Sequence, residues 1–255
     1  MSSVLPSDSD SNNSEIWNRL IRAAMALPGA KIDRETFLRK SLSPHFSDDI
    51  VQKAMETRPA EAGIPNSAIR SIAQSCIVWH RAGVTTLSFA AGIPGGWWMA
   101  GTIPADMTQF FWHVAVTLQK LAYLYGWPSL TDEKNELDDR TLMIFTLFVG
   151  TMFGAGTAGK ALGEISEMLA SQIARKLPQE ALTKWGIYRI AREVAKWIGV
   201  KLTKESFSKF ISKSIPIISG FISGSITWVS FSSMSRRLRE HLEGFASSAI
   251  KVLKI

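Results

Sequence analysis

One cysteine, Cys76, stands in 255 residues. That excludes an internal disulfide framework, leaves no cysteine pair for zinc and points to a reducing, cytoplasmic setting. Histidine is almost as scarce. His45, His80, His113 and His241 are the whole set, and no two are spaced as a helical metal pair requires, so no metal and no other cofactor is expected. A Ser/His/Asp hydrolase would need a nucleophile elbow such as G-x-S-x-G, and none is present. No catalytic residue is therefore assigned. Sustained period-two alternation is missing too, which removes the strand signal and leaves an all-α chain. The opening MSSVLPSDSDSNNSE has neither the basic nor the apolar region of a signal peptide. With nothing apolar to bury, residues 1–13 read as a disordered tail ahead of a single helical domain over 14–255.

What is abundant is unevenly placed. Three runs carry no Asp, Glu, Lys or Arg: Ala82 to Ala105, Thr141 to Gly159 and Ser214 to Ser235. Between the last two, Ser171 to Lys213 holds ten Lys/Arg against three Asp/Glu, an excess of +7 that equals the net charge of the chain. Nine tryptophans suit either the headgroup layer of a membrane or a core that uses indole as bulk.

Helical periodicity and stop signals divide the chain. Glu15 to Leu27 reads as a helix ended by Pro28-Gly29. Asp33 can cap a second through Leu42, and Ser47 opens a third to Thr57, with Asp48 and Asp49 in its first turn. Pro65-Asn66-Ser67 starts a long helix to Phe89. Gly92 to Gly96 breaks it, a helix can resume near Trp97, and Pro104-Ala105-Asp106 starts another that ends at Gly126-Trp127-Pro128. Thr131 to Arg140 is an acidic loop or helix start. Thr141 to Lys176 is predicted as one helix, Pro178 breaks it, and basic helices follow to Lys213. The apolar run after it leads into an amphipathic tail. Arg19 to Lys40 aligns without gaps on Arg189 to Phe210, with Gly29 matching Gly199 and Asp33 matching Thr203. Either this is a repeated αα-hairpin at the two ends of a helix bundle or it is shared turn chemistry.

Four patterns bear on function. The pairs Gly92/Gly96, Gly150/Gly154, Gly159/Gly163 and Gly220/Gly224 give helices faces on which a neighbouring backbone can sit closely. Leu142 to Gly159 is just long enough to cross a bilayer, while tight core packing explains the same glycines. The basic block interleaves Lys184, Trp185, Arg189, Arg192, Lys196, Trp197, Lys201 and Lys204. This suits an anionic lipid surface, phosphates of nucleic acid or a solvated face. The absence of a helix-turn-helix or zinc-finger signature argues against nucleic acid. Gly154 to Lys160 fits G-x-x-x-x-G-K, but Ala161 stands where a magnesium-holding hydroxyl belongs. Finally, Asp106, Gln109, His113, Thr117 and Lys120 form a polar stripe along one helix face. It is a binding or proton-handling site, or a satisfied buried network.

The segment Gly92 to Leu130, with its Gly-rich run, its Pro104-Ala105-Asp106 step and its helix ending Tyr125-Gly126, resembles the EcsC protein family. Ser214 to Thr227 and Leu27 to Lys40 add to the resemblance, which covers Ile16 to Gly244. It implies a bacterial, α-helical, membrane-associated protein without a defined reaction, some members being encoded beside ABC transporters. The expected function is that of a non-enzymatic accessory or effector protein, peripheral to or partly inserted in the cytoplasmic membrane. Its partner would be anionic lipid or a membrane protein such as an ABC transporter. Two other readings are a helical enzyme or small-molecule binder using Asp106, Gln109 and His113, and a pore-forming effector.

Overall fold

Apolar residues at helical spacing along so much of the chain require helices that bury their stripes on one another. In the computed structural model, which describes residues 8–90, 105–131, 137–170, 185–202 and 224–252, every regular element is a helix. Among the described residues there are nine: α1 (Asp8–Ala26), α2 (Arg34–Leu42), α3 (Asp48–Glu56), α4 (Asn66–Ala90), α5 (Ala105–Leu124), α6 (Asp139–Phe153), α7 (Gly156–Ala170), α8 (Trp185–Lys201) and α9 (Gly224–Val252). α1 starts inside the stretch expected to be a disordered tail. The backbone of Asn13 lies against Gly199 of α8, which supplies the contact that the polar side chains there do not.

Local chemistry sets the helix ends. Asp33 caps α2, its carboxylate accepting from the Thr36 amide at 2.8 Å, and hydrogen bonding from Thr36, its side chain first and its amide second, holds the Asp33 carboxyl below its usual range. Asp138 caps α6 in the same way, at 2.7 Å from the Thr141 amide. The predicted single helix from Thr141 to Lys176 is instead two, with residues beyond 170 outside the described set up to Trp185. Gly154 takes a left-handed φ of 89°. The Ala155 amide then donates to Gly150 O at 2.8 Å and the Gly154 amide to Thr151 O at 3.0 Å. That six-to-one, five-to-two pair of bonds closes α6, and Arg237 adds a third by donating to Met152 O at 2.6 Å.

α5 and α6 form the centre. From Thr141 to Phe153 every residue of α6 is buried, and α5 is buried on nearly all sides from Phe110 onward. Aromatic rings join the two: Phe111 meets Phe153 with centroids 6.1 Å apart, and Trp127 meets Phe148 edge-on at 4.8 Å. α1 packs between α5 and α8, α4 lies between α5 and α9, and α7 joins α6 to α8. Although buried all round, α6 spans roughly 22 Å at 1.5 Å per residue, short of a bilayer core. Among the described residues no helix is long and apolar enough to cross a membrane.

The small residues do pack closely. A Cβ on Gly150 would fall 2.4 Å from Val194 of α8, one on Gly159 2.5 Å from His241, and one on Gly163 3.0 Å from Phe245, both on α9. Gly92, Gly96 and Gly220 lie outside the described residues, and Gly224 is the first residue of α9. The matched glycines of the internal echo behave differently. Gly29 is a turn with φ 72°, whereas Gly199 sits inside α8, where a Cβ would meet Asn13 O at 1.9 Å. The second copy therefore has no break at its glycine, and Thr203 lies outside the described residues. One helix supplies its own control, because a Cβ on Gly186 meets nothing within 4 Å. Gly199→Ala is expected to lower stability by about 1–3 kcal/mol through overpacking. Gly186→Ala should leave stability unchanged or raise it by up to ~1 kcal/mol. Urea melts of the two variants check this, and equal effects would discount the α1–α8 contact.

Candidate functional site

The polar stripe of α5 runs from the surface into the core. Gln109 is exposed, while His113 and Thr117 are buried and Lys120 is half-buried at the far end. Asp106 belongs to the first turn of α5, and its side chain is not among those described. Asp106, Gln109 and His113 therefore do not converge on one described cleft. A 410 Å³ cleft on the outside of α2, lined by Asp33, Thr36, Arg39 and Lys40 among others, includes none of them. The Thr117 hydroxyl has no hydrogen-bond partner among the described residues.

What meets the stripe is α4. His80 is fully buried, and its Nδ1 lies 3.1 Å from Nδ1 of His113. Nε2 of His80 lies 3.0 Å from the Lys120 amine. An ammonium only donates, so with Lys120 charged His80 accepts at Nε2. It then carries its proton on Nδ1 and donates to Nδ1 of His113. One tautomer thus orders the chain Lys120 to His80 to His113. Two aromatic faces complete the surroundings of the amine, Trp79 at 5.3 Å and Phe37 at 6.0 Å. Trp79 is 62% exposed, so this end of the chain is at the surface. Gly83, one turn after Trp79, leaves room for the His113 ring, since a Cβ there would lie 2.6 Å from its Cε1.

Burial and the neighbouring ammonium act together on the imidazoles. Desolvation first, then Lys120, then His113 push His80 down to about 2. Desolvation and Lys120 push His113 down to about 4. Lys120 is itself lowered, chiefly by burial, with Lys40 adding repulsion and Cys76 opposing it. The Cys76 thiol, one turn before His80, is raised by burial. Among the described residues Lys120 makes no ion pair with a carboxylate, and no three His, Cys, Asp or Glu side chains are grouped as metal ligands would be. His80 is not apparent from sequence because its partners lie on another helix. The available signal was Cys76 and His80 four apart on one face of α4, opposite His113 and Lys120.

The basic block is displayed on α8. Its inner face, Ile187, Ala191, Val194, Ala195 and Ile198, is buried. The outer arc exposes Tyr188, Arg189, Arg192, Glu193 and Val200, while Lys196 is partly buried. Lys196 is 3.6 Å from Glu193, and Lys201 lies 6.0 Å from the Trp197 ring, which is partly buried. Lys184 and Lys204 lie outside the described residues, as does the Trp185 side chain. Tryptophan is buried at Trp17 and Trp127 and exposed at Trp79.

These features define an all-α helical bundle with a buried His–His–Lys chain and one basic outer helix. No family model matches the sequence, and neither the curated proteins nor the solved structures contain a match.

Proposed function

We propose that the protein is a peripheral membrane-docking helical protein of accessory or effector type, held to anionic lipid by the outer face of α8. The observation that carries this reading is the makeup of that face. Arg189 and Arg192 are exposed beside Tyr188, 58% exposed, and Val200, 47% exposed. Cations next to outward-facing apolar and aromatic groups suit the headgroup layer, where the charge meets phosphate and the ring sits at the boundary. On the sequence resemblance alone, the proposal extends to a membrane-protein partner such as an ABC transporter. Among the described helices, docking by a face is more consistent with the short α6 than spanning is.

Cosedimentation with vesicles containing phosphatidylserine tests the proposal. Each arginine near an anionic surface contributes about 1 kcal/mol, so Arg189→Gln with Arg192→Gln should weaken binding by roughly thirtyfold. High salt should release the wild-type protein. Binding that survives both the double substitution and high salt would overturn docking through α8.

A further inference from the structure

An ammonium taken even partly out of water normally has a carboxylate beside it, because desolvating a charge without a partner is costly. Lys120 has none among the described residues. Its contacts are one imidazole nitrogen, His80 Nε2 at 3.0 Å, and the faces of Trp79 and Phe37. The imidazole is itself fixed by a third group, His113, at 3.1 Å. An amine hydrogen-bonded to an imidazole that a further side chain orients is held in a fixed position, as a nucleophilic amine must be. The exposed Trp79 and the partly buried Phe37 place aromatic faces beside the amine.

We infer that Lys120 is a nucleophilic amine that captures carbonyl compounds with an apolar or aromatic body as a Schiff base. The Nζ lone pair forms a bond to the carbonyl carbon, and the C=O π pair moves to oxygen, which takes up the proton that Nζ loses. The carbinolamine then loses water, leaving the C=N bond to Lys120; no oxidant or reductant takes part. His80 is the positioning residue. Holding one N–H at Nε2 fixes the amine, 5.3 Å from the Trp79 ring, and leaves its other N–H and lone pair out of that bond. Burial lowers the basicity of the amine, with Cys76 opposing and Lys40 acting in the same sense as burial. The Cys76 thiol is protonated at neutral pH, because burial raises it, and does not compete.

Reductive trapping tests this. The full-length protein is incubated at pH 7 with benzaldehyde and cyanoborohydride, and adducts are mapped by peptide mass spectrometry. Lys120 should be labelled about tenfold faster than exposed lysines such as Lys53 and Lys160. His80→Asn should bring its rate towards theirs with labelling elsewhere unchanged. Labelling spread evenly over the surface lysines, or a Lys120 that stays unmodified, would overturn the inference. Every lysine of the wild-type chain is compared within one sample, so the outcome does not depend on a variant folding. It is also separate from the fate of membrane docking.

Discussion

Acidification from pH 7 to pH 5 should destabilise the protein by roughly 3 kcal/mol through two side chains, His80 and His113. This allows for solvent screening of Lys120 at its half-exposed end. The sign follows from the direction of the shifts. Both imidazoles titrate below their ordinary value when folded, to about 2 and about 4, so the unfolded chain binds protons first. Their neutral, hydrogen-bonded state therefore contributes fully above the unfolded histidine pKa. The contribution is lost as pH falls through that value toward the folded ones. The groups facing the pair act in the same sense: Lys120 and Lys40 add positive charge, and Cys76 is uncharged. Carboxylates titrate mainly below this window, which isolates the histidines. Urea melts at half-unit steps should show stability climbing from pH 5 to pH 7, with a melting temperature lower by about 10 °C at the acid end. His80→Gln with His113→Asn should be less stable at pH 7 and flat across the window. A wild-type profile flat between pH 5 and 7 would mean that the His–His–Lys chain does not sit in the core as described.

The helices that end on a single residue's chemistry were legible in the sequence. Asp33 before Arg34 and the stop at Pro28-Gly29 are local signals, and local signals survive folding. Gly154 was harder to read. The apolar run continues through it, so periodicity alone extends the helix, although Gly at the end of a long apolar stretch is the ordinary residue of a left-handed cap. The candidate site was half legible. His113, Thr117 and Lys120 follow from spacing on α5, yet Gln109 on the same face is exposed. Burial along a helix depends on where its neighbours stop, and a sequence does not display that. His80 depends entirely on the docking of α4 against α5, across 33 positions of chain. The internal echo shows the converse limit. Gly29 and Gly199 match in sequence, but one turns the chain and the other admits a neighbouring backbone.

Trp17→Ala is expected to cost about 3–5 kcal/mol, enough to leave the bundle near its unfolding threshold at 37 °C. Trp17 is fully buried, edge-on to Phe111 of α5 at 5.5 Å. Its indole Nε1 donates to the Thr146 hydroxyl of α6 at 2.8 Å. One side chain of α1 thus touches both central helices, and the same helix carries α8 through the Asn13–Gly199 contact. The hydrogen bond and the packing are separable. Thr146 also donates to Leu142 O at 2.7 Å, so Trp17→Phe leaves its hydroxyl partnered and should cost about 1–2 kcal/mol. Thr146→Val strands the indole N–H in the core and should cost about 1–3 kcal/mol. The double variant Trp17→Phe with Thr146→Val removes both partners, and its cost should fall short of the sum by about 1 kcal/mol. Strict additivity would mean that the bond does not hold α1 to α6. If Trp17→Ala also weakens vesicle binding while Arg189 and Arg192 are intact, the α8 face works only when α1 presents it. Unchanged binding would show that α8 docks on lipid without that support.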